Sequence, residues 1–171
     1  ECIPQSAFNI SDVEETGKDF EENAILKAKN AFMETNIPCI GDDSGLIVPA
    51  INNEPGLYSA RYAGVNATDR DNRNKLISKL KEGKLESAYA YFFCCIIAVG
   101  IKSKNEIIVC TGKVEGEIKT IERGKKGFGY DPMFYPKGYS DSFAELNSLE
   151  KNKISHRGVA LKKLMKELNK T

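Results

Sequence analysis

Two aspartates in succession, Asp42 and Asp43, stand between Gly41 and the pair Ser44-Gly45. An ordinary turn gains local hydrogen bonds from one Asp, and a second adds repulsion, so the pair calls for a compensating positive charge. In a turn both carboxylates can approach one ion. Oxygen ligands of this kind suit a hard cation such as Mg²⁺, and Mn²⁺ accepts similar donors. Glu22 shares a helical stripe with Ile25, Leu26 and Met33 and is placed to lean inward as a third carboxylate. A plain polar turn is the competing reading for the aspartates. Further on, Gly124, Gly127 and Gly129 surround Lys125 and Lys126, and the amides and ammonium groups of such a loop can hold phosphate. The loop is neither a Walker A motif nor a Rossmann fingerprint, and a solvated turn has the same composition. Phe128, Tyr130 and Asp131 add aromatic faces that stack on a base and a carboxylate that accepts hydrogen bonds from its edge. His156, the single histidine, lies between Ser155 and Arg157 behind Lys151 and Lys153. A helix starting there would present its N-terminus, among cations, to anions or polar ligand atoms. No Cys-His or Ser-His-Asp arrangement supports a covalent intermediate. The summed chemistry is metal-assisted attack of water on a phosphorylated, aromatic ligand.

Those residues need elements to hold them. Asp19 as cap, Glu22 three residues later, and Phe20, Ala24, Ala28, Ala31 and Phe32 at helical spacing predict a helix from about Asp19 to Thr35. Pro38-Cys39-Ile40 reads as a short strand ending at Gly41, and Leu46-Ile47-Val48 as another after Gly45, which puts the aspartates at a strand end. Asn52 to Ala67 reads as an ordered functional loop, and Thr68 as the cap of a charged helix through Leu76 and Leu80. The run Tyr89 to Gly100, the turn Lys102-Ser103-Lys104-Asn105 and Ile107-Ile108-Val109-Cys110 form a strong hairpin signal. Val114 and Ile118 suggest a further short pair, and Met133-Phe134-Tyr135 a strand. Ser142-Phe143-Ala144-Glu145 matches a capping box. A last helix is expected to carry Leu161, Leu164, Met165 and Leu168 on one face and lysines on the other. Strands and helices so mixed indicate an α/β sheet fold.

The 171-residue length suits one domain, and 41% hydrophobic with 29% charged residues is a globular composition. The longest apolar stretch, Ala88 to Gly100, is too short for a membrane-spanning helix. No signal sequence is visible at Glu1-Cys2-Ile3-Pro4. Five cysteines without a C-x-x-C spacing read as reduced thiols of a cytoplasmic protein. A formal charge of +1 argues against a general nucleic-acid binder. The charge is unevenly spread: up to Asp43 the local net is −7, and from Lys151 onward it is +6. Solvated helix faces explain such runs, and a cation-binding front opposite an anion-binding back is the sharper alternative.

Five ordered blocks carry a resemblance. They are Thr16-Gly17 with Phe20-Glu21-Glu22-Asn23-Ala24; Asp42 through Leu46; Pro55 through Tyr62; Gly127 through Pro132; and Ala144-Glu145-Leu146 with Ile154 through Gly158. In this order they resemble the inosine triphosphate pyrophosphatase family, from Val13 to the C-terminus. The resemblance implies an elongated mixed sheet, with helices forming two lobes around a substrate cleft, in a homodimer. It implies hydrolysis of ITP, dITP and XTP to the monophosphate and pyrophosphate, which cleanses the nucleotide pool. By position in the motifs, Asp43 would activate water, and Glu22 and Asp43, helped by Asp42, would hold Mg²⁺. Ser44 would contact substrate. Phe128, Gly129, Tyr130 and Asp131, with Lys151, His156 and Arg157, would form the base and phosphate pocket. Donors aimed at a 6-oxo group accept hypoxanthine and reject the 6-amino group of adenine.

Family members open with a strand and a Thr/Ser-Gly-Asn-x-x-Lys loop that grips the triphosphate, and no such segment occurs in these 171 residues. The resemblance therefore implies a single domain without that strand and lysine, and less than full activity. Two other functions are compatible with the residues: a catalytically silent nucleotide binder, and a pyrophosphatase for other modified nucleotides like the Maf-type proteins. The Ser155-His156-Arg157 block disfavours the second.

Overall fold

The computed structural model describes residues 2–101, 103 and 106–170. Five strands, β1 (Cys39–Val48), β2 (Glu54–Pro55), β3 (Ser87–Val99), β4 (Ile107–Lys119) and β5 (Phe134–Pro136), form one sheet in the order β2-β1-β3-β4-β5. Every pairing is antiparallel. Helices α1 (Phe20–Thr35), α2 (Asp69–Glu82), α3 (Ser148–Ile154) and α4 (His156–Leu168) complete the fold. The α/β architecture expected from the sequence is therefore present.

The apolar run in β3 is explained by burial on both faces, since alternate side chains of a strand point to opposite sides. Cys95, Ile97 and Val99 pack with Ala24 and Ala28 of α1. Cys94, Ile96 and Ala98 pack with Cys110 of β4 and with Ala160 and Leu164 of α4. Toward the other end of the sheet, Phe92 joins Leu46, Leu76, Leu80, Phe134 and Phe143 in the largest cluster. Burying a side chain such as Leu76 or Leu80 contributes roughly 1.5–3 kcal/mol. Asp19 caps α1 by accepting from the Glu22 N–H at 2.8 Å, and Thr68 with Asp71 forms a reciprocal capping box on α2. Among the described residues no helix is long and apolar enough to cross a membrane. All five cysteines are free thiols.

Several expectations change. The two short strands around the aspartates are one strand, because Cys39 through Ile47 pair without interruption with Val99 through Tyr91. Val114 and Ile118 likewise belong to the continuous β4, which pairs with β5 at its far end. In the expected turn after β3, Lys102, Lys104 and Asn105 lie outside the described residues. The Ser142 N–H donates to the Glu145 carboxylate at 2.8 Å, but the Ser142 hydroxyl donates to the Arg123 carbonyl oxygen instead of capping, and the chain makes only a turn there. On α4 the buried residues are His156, Ala160 and Leu164, while Leu161 and Met165 are 42% and 56% exposed. The reason is a close approach to Gly112 of β4, where an added Cβ would lie 1.9 Å from the His156 carbonyl oxygen and 2.7 Å from the Ala160 nitrogen. That contact, rather than the larger apolar side chains, sets the rotation of α4.

Candidate active site

Asp43 lies mid-strand in β1 and points toward α1. Helix α1 sits close because Gly41, two residues earlier on the same face, has no side chain: a Cβ there would meet the Ala24 carbonyl oxygen at 2.6 Å and the Ala28 nitrogen at 2.7 Å. This approach places Asn23 and Lys27, one helical turn apart, against the Asp43 carboxylate. Asn23 Nδ2 donates to Asp43 Oδ2 at 3.2 Å, and Lys27 Nζ donates to Oδ1 at 2.8 Å. The Asn23 side-chain oxygen is held in turn by the Gly17 N–H at 2.8 Å, which accounts for the Thr16-Gly17 block. Lys27 Nζ also reaches Glu15 at 2.6 Å and the Asp42 carbonyl oxygen at 3.2 Å, while Arg61 pairs with the other oxygen of Glu15. Asp43 is only 7% exposed. Its burial raises the carboxyl above the ordinary aspartate range, outweighing Lys27 and Asn23, which favour the ionised form. Burial works against the charge on Lys27, but the bonds to Asp43 and Glu15 win and raise its pKa. The result is a carboxylate of enhanced basicity on a fixed mount, which is what a general base needs.

Asp42 points the other way. Its Oδ2 accepts from Arg157 Nε and Nη2, each at 2.7 Å, and lies 3.5 Å from the Ser44 hydroxyl. The sequence reading had both aspartates converging on one ion from a turn. The structure corrects this, since a pleated strand sends successive side chains to opposite faces. Glu22 is also not turned inward: it is exposed, and its carboxylate accepts the Lys18 N–H at 2.8 Å. The helix stripe that faces β1 runs through Asn23, Ala24, Ala28 and Ala31, not through Ile25 and Met33, and Met33 is 75% exposed.

Arg157 leads from Asp42 to the aromatic residues. Ser155 ends α3 and caps α4 through the Gly158 N–H, so His156 and Arg157 occupy the first turn of α4. The Arg157 guanidinium carbon lies 5.9 Å from the centre of the Phe128 ring, and Lys151 Nζ lies 4.9 Å from the same ring. Phe128 is 60% exposed and offers a face flanked by two cations. Its neighbours support it. Asp131, buried, accepts from the Phe128 N–H at 2.8 Å and pairs with Lys151. Gly129 donates to Asp69 at 2.6 Å and accepts from Arg73 at 2.9 Å, tying the loop to α2. Tyr130 is buried and its hydroxyl donates to the Ser59 carbonyl at 3.0 Å, so it braces the loop. His156 is buried flat against Phe92, with ring centres 4.8 Å apart, and burial together with Arg157 and Lys151 pushes its pKa down to about 3. The imidazole is neutral at physiological pH.

The residues predicted from sequence thus fall into two groups on the two faces of β1. Asp43 and Glu22 stand on the α1 side. Ser44, Asp42, Arg157, Phe128, Gly129, Tyr130, Asp131, Lys151 and His156 stand on the α4 side. Sequence reasoning missed Asn23, Lys27, Glu15, Arg61, Asp69 and Arg73. The small residues Gly41, Ala24 and Ala28 were the available signal for Asn23 and Lys27, because small faces mark where a helix comes close.

Among the described residues no group of three His, Cys, Asp or Glu side chains is gathered to hold a metal ion. The slot at Asp43 is nevertheless built for a cation, since three oxygens, from Asp43, Glu15 and the Asp42 carbonyl, surround the Lys27 ammonium. Mg²⁺ is typically held by one or two carboxylates together with substrate phosphates and water; Asp43 is the buried carboxylate of this slot, and Glu22 stands exposed at the start of α1 on the same side of β1.

The Ham1 family profile matches residues 2–167. A protein of Legionella pneumophila (strain Lens) named dITP/XTP pyrophosphatase is 48% identical over 163 residues, covering 95% of this chain and 84% of that protein. One of the same name from Idiomarina loihiensis is 46% identical over 167 residues, covering 98% and 83%. The solved structure of a HAM1 protein from Coxiella burnetii superposes with a TM-score of 0.91 at 44% identity, covering 99% of this chain and 86% of that one. The Staphylococcus aureus Ham1 structure gives 0.86 at 44% identity, covering 96% and 84%. With family profile, sequence and fold in agreement, the chain belongs to the Ham1 family.

Proposed function

We propose that this protein is a Mg²⁺-dependent nucleoside triphosphate pyrophosphatase that cleaves dITP, XTP and ITP between the α and β phosphorus, yielding the monophosphate and pyrophosphate. The names of its relatives support the substrate class. The observation that carries the reading is the mounting of Asp43, a buried carboxylate of raised basicity clasped by Lys27 and Asn23, across β1 from the cationic aromatic shelf of Phe128, Lys151 and Arg157. The nucleotide spans β1, passing the edge that faces away from β3. Its base rests on Phe128 beside Arg157, and its phosphates lie toward Lys27 and Asp43. Water supplies the oxygen that replaces the bridging one, and Asp43 takes the proton. Glu22 and Asp43 would hold Mg²⁺, which would supply charge neutralisation on the triphosphate. Arg157 offers only donors, so it pairs with a 6-oxo group and is left unpaired by a 6-amino group. The same reading makes the protein a cytoplasmic homodimer acting on the purine nucleotide pool.

The test is product analysis of the purified protein with Mg²⁺ and dITP or dATP. The expected outcome is dIMP and pyrophosphate, formed faster than the products from dATP, with Asp43→Asn lowering kcat by about 100-fold or more. Equal rates on the two nucleotides would remove the specificity claim. Inorganic phosphate as the sole anionic by-product would remove the assigned bond.

A further inference from the structure

The Asp42–Arg157 pair has no task in the hydrolytic step just described. Asp42 Oδ2 accepts from Nε and Nη2 of Arg157, both at 2.7 Å, and also faces the Ser44 hydroxyl at 3.5 Å and the Cys94 thiol at 4.0 Å. All of these lie across the strand from Asp43. The two side chains are 35% and 42% exposed, so the Coulomb attraction is largely screened and contributes little to stability. Its effect is geometric. Arg157 is a long side chain on the first turn of α4, and a free guanidinium there would sample many rotamers. Asp42 is fixed in the middle of a strand paired on its inner side through nine successive positions, Cys39 through Ile47. Binding one edge of the guanidinium to that rigid point leaves Nη1 and its hydrogens unused by Asp42. The guanidinium carbon then lies 5.9 Å from the Phe128 ring centre, where a stacked base would present its edge.

We propose that Asp42 is a positioning residue: it orients Arg157 beside Phe128 so that the donors meet the 6-oxo edge of a purine, and it takes no part in holding the metal ion. This rests on reading the site as a pyrophosphatase for deaminated purine nucleotides. Ligand discrimination is the property that must change when Asp42 is altered, because a pinned donor distinguishes an acceptor from a donor only while its direction is fixed.

The experiment compares wild type, Asp42→Asn, Asp42→Glu, Arg157→Ala and the double variant Asp42→Asn/Arg157→Ala. Two readouts are needed. Calorimetry without metal measures dIMP and dAMP binding, and steady-state kinetics measures dITP and dATP turnover across a Mg²⁺ titration. Thermal unfolding midpoints near that of wild type establish that the variants are folded, which the near-isosteric Asp42→Asn change in a half-exposed position favours. The expected result is that Asp42→Asn lowers the dIMP-over-dAMP preference about tenfold to 100-fold, chiefly through dIMP affinity and KM. Half-saturation by Mg²⁺ stays at the wild-type value. Asp42→Glu regains part of the preference, and Asp42→Asn adds nothing once Arg157 is absent. A shifted Mg²⁺ requirement with intact preference would return Asp42 to the metal and overturn the proposal. So would additive losses in the double variant, or equal dIMP binding by wild type and Asp42→Asn. If wild type binds dIMP with the stated preference but releases no pyrophosphate from dITP, the pyrophosphatase reading fails, and the binding comparison still decides the role of Asp42.

Discussion

His156 lies parallel to Phe92, with an interplanar angle of 12°, and its Nδ1 is buried without a hydrogen-bond partner among the described residues. A charged imidazole in that place would lose solvation beside Arg157 and Lys151, so the folded form keeps it neutral, with a pKa near 3 against 6.5 for the ordinary group. Between those values the unfolded chain binds the proton and the folded one does not. His156 therefore costs nothing above pH 6.5, and stability is lost as pH falls from there toward the folded value. The expected slope is about 1.4 kcal/mol per pH unit beyond that of a His156→Phe variant, which keeps the stack and removes the titration. Urea unfolding at several pH values between about 4 and 6 measures it, and parallel slopes would refute the assignment. The residue was visible in the sequence as the lone histidine, but its character was not, because nothing in Ser155-His156-Arg157 shows that Phe92 will cover it. Asp43, Phe128, Lys151 and Arg157 were legible by residue type. Nothing local in the sequence gives Asn23 and Lys27 a task, and only the docking of α1 on Gly41 turns them toward Asp43.

Elements were read well where one pattern governed them and poorly where packing overrode it. The capped starts of α1 and α2 followed from Asp19 and Thr68, whose side chains close the first turn locally. The break expected at Gly41 and Gly45 did not occur, because glycine in a strand also marks a backbone close to another element, as Gly41 does beneath α1. Gly112 shows the same thing on the opposite face. Gly112→Ala must push His156 and Ala160 of α4 outward, since the obstructing atoms are backbone and cannot turn aside. The expected cost is about 3 kcal/mol, and Arg157 moves with the helix, so dIMP binding weakens too. Gly83, at the end of α2 with φ −77°, has its nearest obstacle 3.4 Å from the added carbon. Gly83→Ala should fall within about 1 kcal/mol of wild type, on either side. Thermal unfolding of the two variants decides the point, and similar losses would show that close approach to α4 is not what requires Gly112.

At the scale of the whole molecule, the uneven charge of the sequence becomes a division across the sheet. The acidic front supplies α1 and Asp43 on one face, and the basic back supplies α4 with Arg157 on the other, with β3 packed between them. This separation was not legible from charge counts, which carry no information on which face each helix covers. The largest apolar cluster meets the α4 side of the site at Phe92 as well as at Tyr130. Phe92 contacts Phe134 at 4.8 Å, Phe143 at 6.2 Å and His156 at 4.8 Å between ring centres. Phe92→Ala opens a cavity among residues that cannot all close over it, at about 3–5 kcal/mol. For a chain of this size that corresponds to a fall of roughly 10 °C in Tm. The same cavity frees His156, and through it the first turn of α4, so dIMP affinity should fall together with Tm. Tyr89 is on the same strand but 50% exposed, and Tyr89→Ala should cost about 1 kcal/mol or less with dIMP affinity unchanged. Calorimetric unfolding and dIMP titration of the two variants separate a core that supports the Phe128 shelf from one that is only adjacent to it. An unchanged affinity in a folded Phe92→Ala protein would show that the shelf stands independently of the core beneath it.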